Sequence, residues 1–276
     1  YKIKKNFRNI KIVLESHGDF INTLELEKNL IFPAVYRKLF LKMASYTINK
    51  ADILRAVSSS TEEQALSFDP SKRVVRFPAW VDFEIFSIVQ ASRSDEKDFK
   101  ILFIGSVTDR KKPHLIVETI NKIKNKDIKL YVVGPTPNEN YLSQLKELVH
   151  NYDLEDQVLF TGSVDRKSVM DHYADTNLMI LPSVSEGLAR VIFESQATAC
   201  PVLVTDAPGM GDIVIDGQTG YIFESDNLES LTNKIQEIIN NYNDAVHVGN
   251  NAKDFILSNY SADNFKFSFK KLFDTV

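Results

Sequence analysis

Cysteine is nearly absent from this chain. One Cys200 among 276 residues cannot close an internal disulfide. Its setting, Ala199-Cys200-Pro201-Val202-Leu203-Val204, is that of a small buried residue. A disulfide framework is therefore excluded, and a cytoplasmic compartment is the default expectation. Long apolar runs are missing too: none approaches the roughly 20 residues that cross a bilayer, and no secretory signal is visible. Glycine and proline are modest, at 10 and 9 residues, and no low-complexity tract interrupts the chain. Asp-x-Asp, an acidic pair suited to holding a metal beside a phosphate, does not occur. With a net charge of −4 and no recognisable binding motif, nucleic acid is disfavoured as a partner.

What the chain does contain is apolar mass: 43% hydrophobic residues, enough for substantial cores, over a length that suggests about two domains. Charge is unevenly spread. Residues 1–99 carry +3 and the remainder −7, and residues 1–50 hold 10 basic against 4 acidic side chains. Phe7, Tyr36 and Phe40 are interleaved with Lys2, Lys4, Lys5, Arg8 and Lys11. That pattern suits contact with an anionic membrane or another anionic partner, and equally a solvated basic face.

From residue 100 onward, apolar strands alternate with helical stretches. Strands are expected at 100–105, 128–134, 157–162, 177–182, 201–206 and 220–223. Helices are expected at 114–124, 141–151, 166–174, 188–199 and 228–240. Continuous Val/Ile/Leu strands in a βαβα rhythm predict a parallel, doubly wound sheet. The first hundred residues offer less: a strand at 9–15 ending in Ser16-His17-Gly18-Asp19, a helix at 33–50, and short strands at 53–58 and 73–78. No opening strand with a glycine-rich turn precedes them, so the expectation is the back part of a second α/β domain. Residues 87–98 are polar and charged and read as a linker. Residues 242–276 hold two helices. The last carries Phe265, Phe267, Phe269 and Phe273, and such a helix is expected to dock.

The densest chemistry lies in Ser183-Val184-Ser185-Glu186-Gly187-Leu188-Ala189-Arg190-Val191-Ile192-Phe193-Glu194. A buried strand runs into small residues, a Glu-Gly turn and a helix N-terminus, whose first N–H groups lack intrahelical partners and so favour anions. Eight residues of continuous helix would separate the two glutamates by roughly 12 Å, more than the about 5–9.5 Å of a glycosidase pair. Such a spacing suits an extended ligand held at both ends. By themselves, the two glutamates are more often a solvated pair. After the strand at 100–105 comes a basic loop, Asp109-Arg110-Lys111-Lys112-Pro113, running into a helix, as a diphosphate site requires. After 201–206, Gly209 and Gly211 allow close backbone approach.

In order and spacing, residues 51–223 resemble the retaining GT-B glycosyltransferases of glycosyltransferase family 4. The resemblance implies an α/β fold of GT-B type, with two Rossmann-like doubly wound domains, the N-terminal one incomplete. It places an acceptor-side domain over 1–90, a donor-binding domain over 91–258, and a terminal helix, 259–276, packing back toward the first. It implies transfer of a hexose-type sugar from a nucleotide sugar to a saccharide or lipid-linked acceptor, with retention of configuration and without cofactor or metal. Polysaccharide or glycolipid synthesis is the expected setting, in the cytoplasm or at the inner membrane face.

Carried over residue by residue, Gly105-Ser106 stands where the family has Gly-Arg, and Lys112 matches its diphosphate lysine. Arg110 or Lys111 then supplies the charge lost at Ser106. Glu194 would bind ribose hydroxyls. Glu186 would lie near the transferred sugar, and the backbone of Gly187, Leu188 and Ala189 would meet sugar and phosphate. Val164 would contact the base. His17 would sit near the donor sugar, although a lone loop histidine is as often structural. Val57-Ser58 and Phe77-Pro78-Ala79-Trp80-Val81-Asp82 with Phe86 resemble interdomain markers. Two other readings stay open: a nucleotide-sugar epimerase of the same fold, and a non-catalytic nucleotide-sugar-binding module.

Overall fold

The computed structural model describes residues 10–18, 32–92 and 98–275. Lys2, Lys4, Lys5, Phe7, Arg8, Asp19 and residues 93–97 of the expected linker lie outside that range. The chain divides into two compact units: Tyr1–Trp80 with Ser185–Leu188 and Ser261–Val276, and Val81–Val184 with Ala189–Tyr260.

The first unit holds a parallel sheet of β1 (Val13–Ser16), β2 (Ile53–Ala56) and β3 (Val74–Arg76), in that order. Val13 lies opposite Ile53, and Leu54 opposite Val74. Because strand side chains alternate, successive residues of β2 serve two cores. On one face Leu54 packs with Ile48, Ala51 and Ala65, joining α1 (Pro33–Lys50) and α2 (Ser59–Phe68) to the sheet. On the other, Ile53 packs with Phe77 and with Leu272 of the last helix, α10 (Ala262–Thr275), flanked by Phe265 and Phe269. The aromatic terminal helix thus docks through its Phe265/Phe269/Leu272 stripe, at helical spacing. Pro33 opens α1, where its missing N–H costs nothing.

The second unit is built on six parallel strands: β4 (Phe99–Ile104), β5 (Ile128–Val133), β6 (Val158–Gly162), β7 (Leu178–Leu181), β8 (Val202–Thr205) and β9 (Tyr221–Phe223). Their spatial order is β6-β5-β4-β7-β8-β9, the doubly wound order whose direction reverses between the first and fourth strands. A short α3 (Glu84–Ser87) precedes the sheet; α4 (Pro113–Ile123), α5 (Glu139–Asn151), α6 (Arg166–Asp175), α7 (Arg190–Ala197), α8 (Leu228–Asn240) and α9 (Tyr242–Asn259) follow. Ile101, Leu102, Phe103, Leu178, Met179 and Ile180 are fully buried, which is why these strands read as unbroken apolar runs. Each such side chain contributes about 1.5–3 kcal/mol on leaving water. Cys200 is free and buried.

Two local expectations need correction. The strand expected over 9–15 is ordered as Val13–Ser16. The helix expected over 188–199 begins only at Arg190 and ends at Ala197, so Glu186 to Ala189 are not helical and the helix-rise spacing of the two glutamates does not apply.

Candidate functional site

In open α/β sheets ligands bind at the carboxyl ends of the strands where the order reverses; here that crevice opens between β4 and β7. Two glycines shape its floor. Gly105 ends β4 and Gly134 ends β5, with φ of 138° and 137°, values that L side chains rarely adopt. A Cβ on Gly134 would collide with the Gly105 carbonyl oxygen, and one on Gly105 would lie 2.9 Å from Lys111 Nζ. The Lys111 ammonium is therefore folded back over the end of β4, above the Gly105-Ser106 turn. The 3₁₀ turn Asp109–Lys111 carries it there. The Val184 amide donates to the Arg110 carbonyl at 3.1 Å, and Thr205 Oγ1 donates to the Ser183 carbonyl at 2.6 Å. The loops after β4, β7 and β8 are thereby tied together.

Lys112 takes another direction. It stands in the left-handed region at the start of α4, φ 47°, and its ammonium is ion-paired to Asp226, itself left-handed at φ 59°. Of the basic triplet, Lys111 reaches the strand end and Lys112 engages an acid on the loop before α8. Val164 is half-buried just after β6, ahead of Asp165, whose side chain caps α6 by accepting from the Ser168 amide at 2.8 Å.

Glu194 lies on α7, one turn from its start. Tyr173, fully buried, donates to Glu194 Oε2 at 3.1 Å, and its ring meets Phe86 edge-on with centroids 5.7 Å apart. Burial raises the Glu194 pKa; the bond from Tyr173 and the charges of Arg190 and Arg166 act in the opposite direction. Ala189 is the N-cap residue of α7 and provides no side-chain cap, so orphan amides remain at that end.

In the first unit, His17 follows β1 and is exposed. Its Nε2 lies 2.8 Å from Glu15 Oε2; an ionised carboxylate only accepts, so that nitrogen carries the proton. The same oxygen accepts from Arg55 Nη1 at 2.9 Å. Arg55 is only 2% exposed, donates to the Pro78 carbonyl at 2.7 Å, and sits 4.2 Å from the Phe77 ring centroid and 4.9 Å from that of Phe269. Burial depresses its pKa, and Glu15 opposes that shift. Segment Ser185–Leu188 clusters with this unit. Glu186 is buried, and Gly187 packs so tightly that a Cβ would meet the His17 carbonyl and come within 2.5 Å of Gly18 Cα. His17 and Gly187 are thus neighbours within one unit, while Gly105, Ser106, Arg110, Lys111, Lys112, Val164 and Glu194 belong to the other. Tyr173, Glu15, Arg55 and Asp226 were not foreseen from sequence. For Arg55 a sign was present, a lone charge inside the apolar Ile53-Leu54-Arg55-Ala56.

A doubly wound sheet with loops gathered at its reversal point defines an open α/β protein of Rossmann type. The family model of glycosyl transferases group 1 matches residues 84–255, and the chain belongs to that family. Among curated relatives, the capsular polysaccharide biosynthesis glycosyltransferase CapM of Staphylococcus aureus is 25% identical over 66% of this chain and 49% of its own length. N-acetyl-alpha-D-glucosaminyl L-malate synthase of Bacillus anthracis is 23% identical over 92% of this chain and 65% of its own. The chain spans about half the length of the first curated relatives it matches. Among solved structures, Anabaena HepE in complex with UDP and glucose superposes with a TM-score of 0.81 at 16% identity, covering 99% of this chain and 74% of that one. Sucrose-phosphate synthase from Thermosynechococcus elongatus gives 0.82 at 19%, covering 99% and 69%. These likenesses establish the GT-B fold.

Proposed function

We propose that the protein moves a hexose-type sugar from a nucleoside diphosphate donor to a saccharide or lipid-linked acceptor, retaining configuration at the anomeric carbon, in polysaccharide or glycolipid synthesis at a cytoplasmic membrane face. One observation carries the donor reading: a half-buried carboxylate, Glu194, on the helix that follows β7, is held by a buried phenol. Burying a carboxylate costs stability, and such a cost is tolerated where ligand hydroxyls hydrogen-bond to it. Ribose hydroxyls fit that role. HepE, whose structure holds UDP and glucose, supports a nucleotide-sugar donor here.

As the glycosidic bond breaks, negative charge grows on the departing diphosphate. Lys111 over Gly105, Arg110 next to it in the chain, and the orphan amides at the start of α7, from Ala189 onward, would meet that charge, with Lys112 joining them once released from Asp226. They act more strongly on the transition state than on the ground state. In this reading protein cations serve where other transferases use a metal. Val164 supports the base through its backbone. Glu186 orients the transferred sugar, with His17 fixed in one tautomer by Glu15.

Calorimetric titration tests the donor site. Glu194→Ala should weaken both nucleoside and nucleoside diphosphate binding by about 1.5–3 kcal/mol, the range for a hydrogen bond to a charged group. Lys111→Ala should weaken only the diphosphate. Unchanged nucleoside binding in Glu194→Ala returns Glu194 to a structural role and removes the donor assignment. Sugar transfer that needs an acceptor, without interconversion of the donor alone, separates the transferase from an epimerase.

A further inference from the structure

Helix α1 is apolar on two sides. At 3.6 residues per turn, about 100° per residue, Phe40, Leu41, Ala44 and Ile48 face inward; Ile48 joins the core and the others are half-buried. On roughly the opposite side Val35, Tyr36, Leu39, Met43 and Tyr46 fall within an arc about 100° wide, preceded by Phe32 at the N-cap. These six are between 44% and 70% exposed and account for nearly half of the large exposed hydrophobic residues described. Clustered exposure of this kind marks an interaction surface. Met43 also lines an apolar cavity of about 300 Å³ with Leu14, Phe40, Ala44, Ile48 and Ala65.

Charge identifies the occupant. From Phe32 to Lys50 there is no acidic residue, while Arg37, Lys38, Lys42 and Lys50 are all basic, and Lys38 and Lys42 run along one edge of the stripe. A helix with an aromatic and aliphatic stripe edged by lysines suits the plane of an anionic bilayer: apolar side chains enter the acyl boundary and ammonium groups meet the headgroups. A second copy would bring like-charged lysines together.

We infer that the Val35–Tyr46 face of α1 docks the protein on an anionic lipid surface, an inference that rests for its role on the lipid-linked acceptor proposed above. The apolar stripe from Val35 to Tyr46, a little over three turns, together with the helix's basic residues, places α1 in the interface plane. No helix among the described residues is long and apolar enough to cross a membrane.

Flotation of the full chain with phosphatidylcholine vesicles, with and without phosphatidylglycerol, tests the assignment. Binding should require phosphatidylglycerol. Binding should weaken as salt rises, because exposed charges are screened, and Lys38→Gln/Lys42→Gln should weaken it about fivefold per lysine at low salt and flatten that salt dependence. Leu39→Gln/Met43→Gln should weaken it about tenfold while leaving the thermal midpoint within a degree or so, because both side chains are exposed. Equal partition onto neutral vesicles, binding unaltered by either double variant, or a dimer that dissociates on Leu39→Gln/Met43→Gln would overturn it. Titration of nucleoside diphosphate against the same variants should be unchanged. That arm separates loss of lipid binding from failure of the donor site.

Discussion

Glu194 carries a carboxylate whose burial costs stability. Its folded pKa is raised by burial, so the folded state favours the protonated form more than the unfolded chain does. A group shifted upward contributes stability that is complete below the unfolded pKa and is lost as pH rises through the folded one. At neutral pH its ionised carboxylate is therefore a cost. Glu194→Gln is expected to raise the thermal midpoint of the ligand-free protein at neutral pH, with the advantage closing toward about pH 4, near the ordinary carboxylate value. Scanning calorimetry across that range checks it; a variant less stable than the parent at neutral pH contradicts it. Tyr173 is the second residue in this balance. Tyr173→Phe keeps the packing against Phe86 and removes the bond to Glu194, and that bond is one of the influences lowering the Glu194 pKa. Nucleoside binding should fall about fivefold, the worth of one hydrogen bond, and its acid limb should move to higher pH. A loss independent of pH would make Tyr173 a packing residue only. Glu194 stands out in the sequence by its spacing after a buried strand, and the structure adds its burial and the bond from Tyr173. Tyr173 was not, since a tyrosine on a helix reads as core until its hydroxyl partner is seen.

Among elements, the strands of the second unit were legible because both faces of a parallel sheet are covered, leaving apolar runs with few interruptions. Helix α2 escaped notice for the opposite reason. Its buried positions are Ser60, Thr61 and Ala65, small and partly polar, so no apolar period betrays it. Its start is fixed instead by a reciprocal cap between Ser58 and Thr61, with threonine where the usual pattern has Glu or Gln. The late start of α7 has a local cause: Glu186 and Gly187 pack with the first unit, Gly187 against the backbone of His17 and Gly18, and that loop cannot also be helical. The terminal helix was legible as aromatic and docking, but its partners were not. Leu272 is fully buried against Ile53 and Phe77. Leu272→Ala should therefore destabilise the first unit by about 2–5 kcal/mol, the range for a buried leucine, read by chemical denaturation with fluorescence from Trp80. A cost typical of surface positions, under about 0.5 kcal/mol, would show that α10 is not integral to that core.

For the whole molecule, two units with separate cores predict unfolding that is not a single two-state event. The second unit closes six strands between helices; the first has three described strands and two small clusters, Ile48/Ala51/Leu54/Ala65 and Ile53/Phe77/Leu272. Less buried apolar surface means a smaller margin over chain entropy, so the lower-melting calorimetric transition should belong to the first unit, and Leu272→Ala should move that transition alone. Glu194 and Lys111 both lie in the second unit. A nucleoside diphosphate at about 100 times its Kd adds about 2.7 kcal/mol to whatever state binds it, and the higher transition should rise accordingly. In Glu194→Ala the same ligand concentration should produce a clearly smaller rise. One sharp transition whose calorimetric and van't Hoff enthalpies agree would instead show that the chain unfolds as one cooperative body, and the assignment of stability to separate units would be withdrawn.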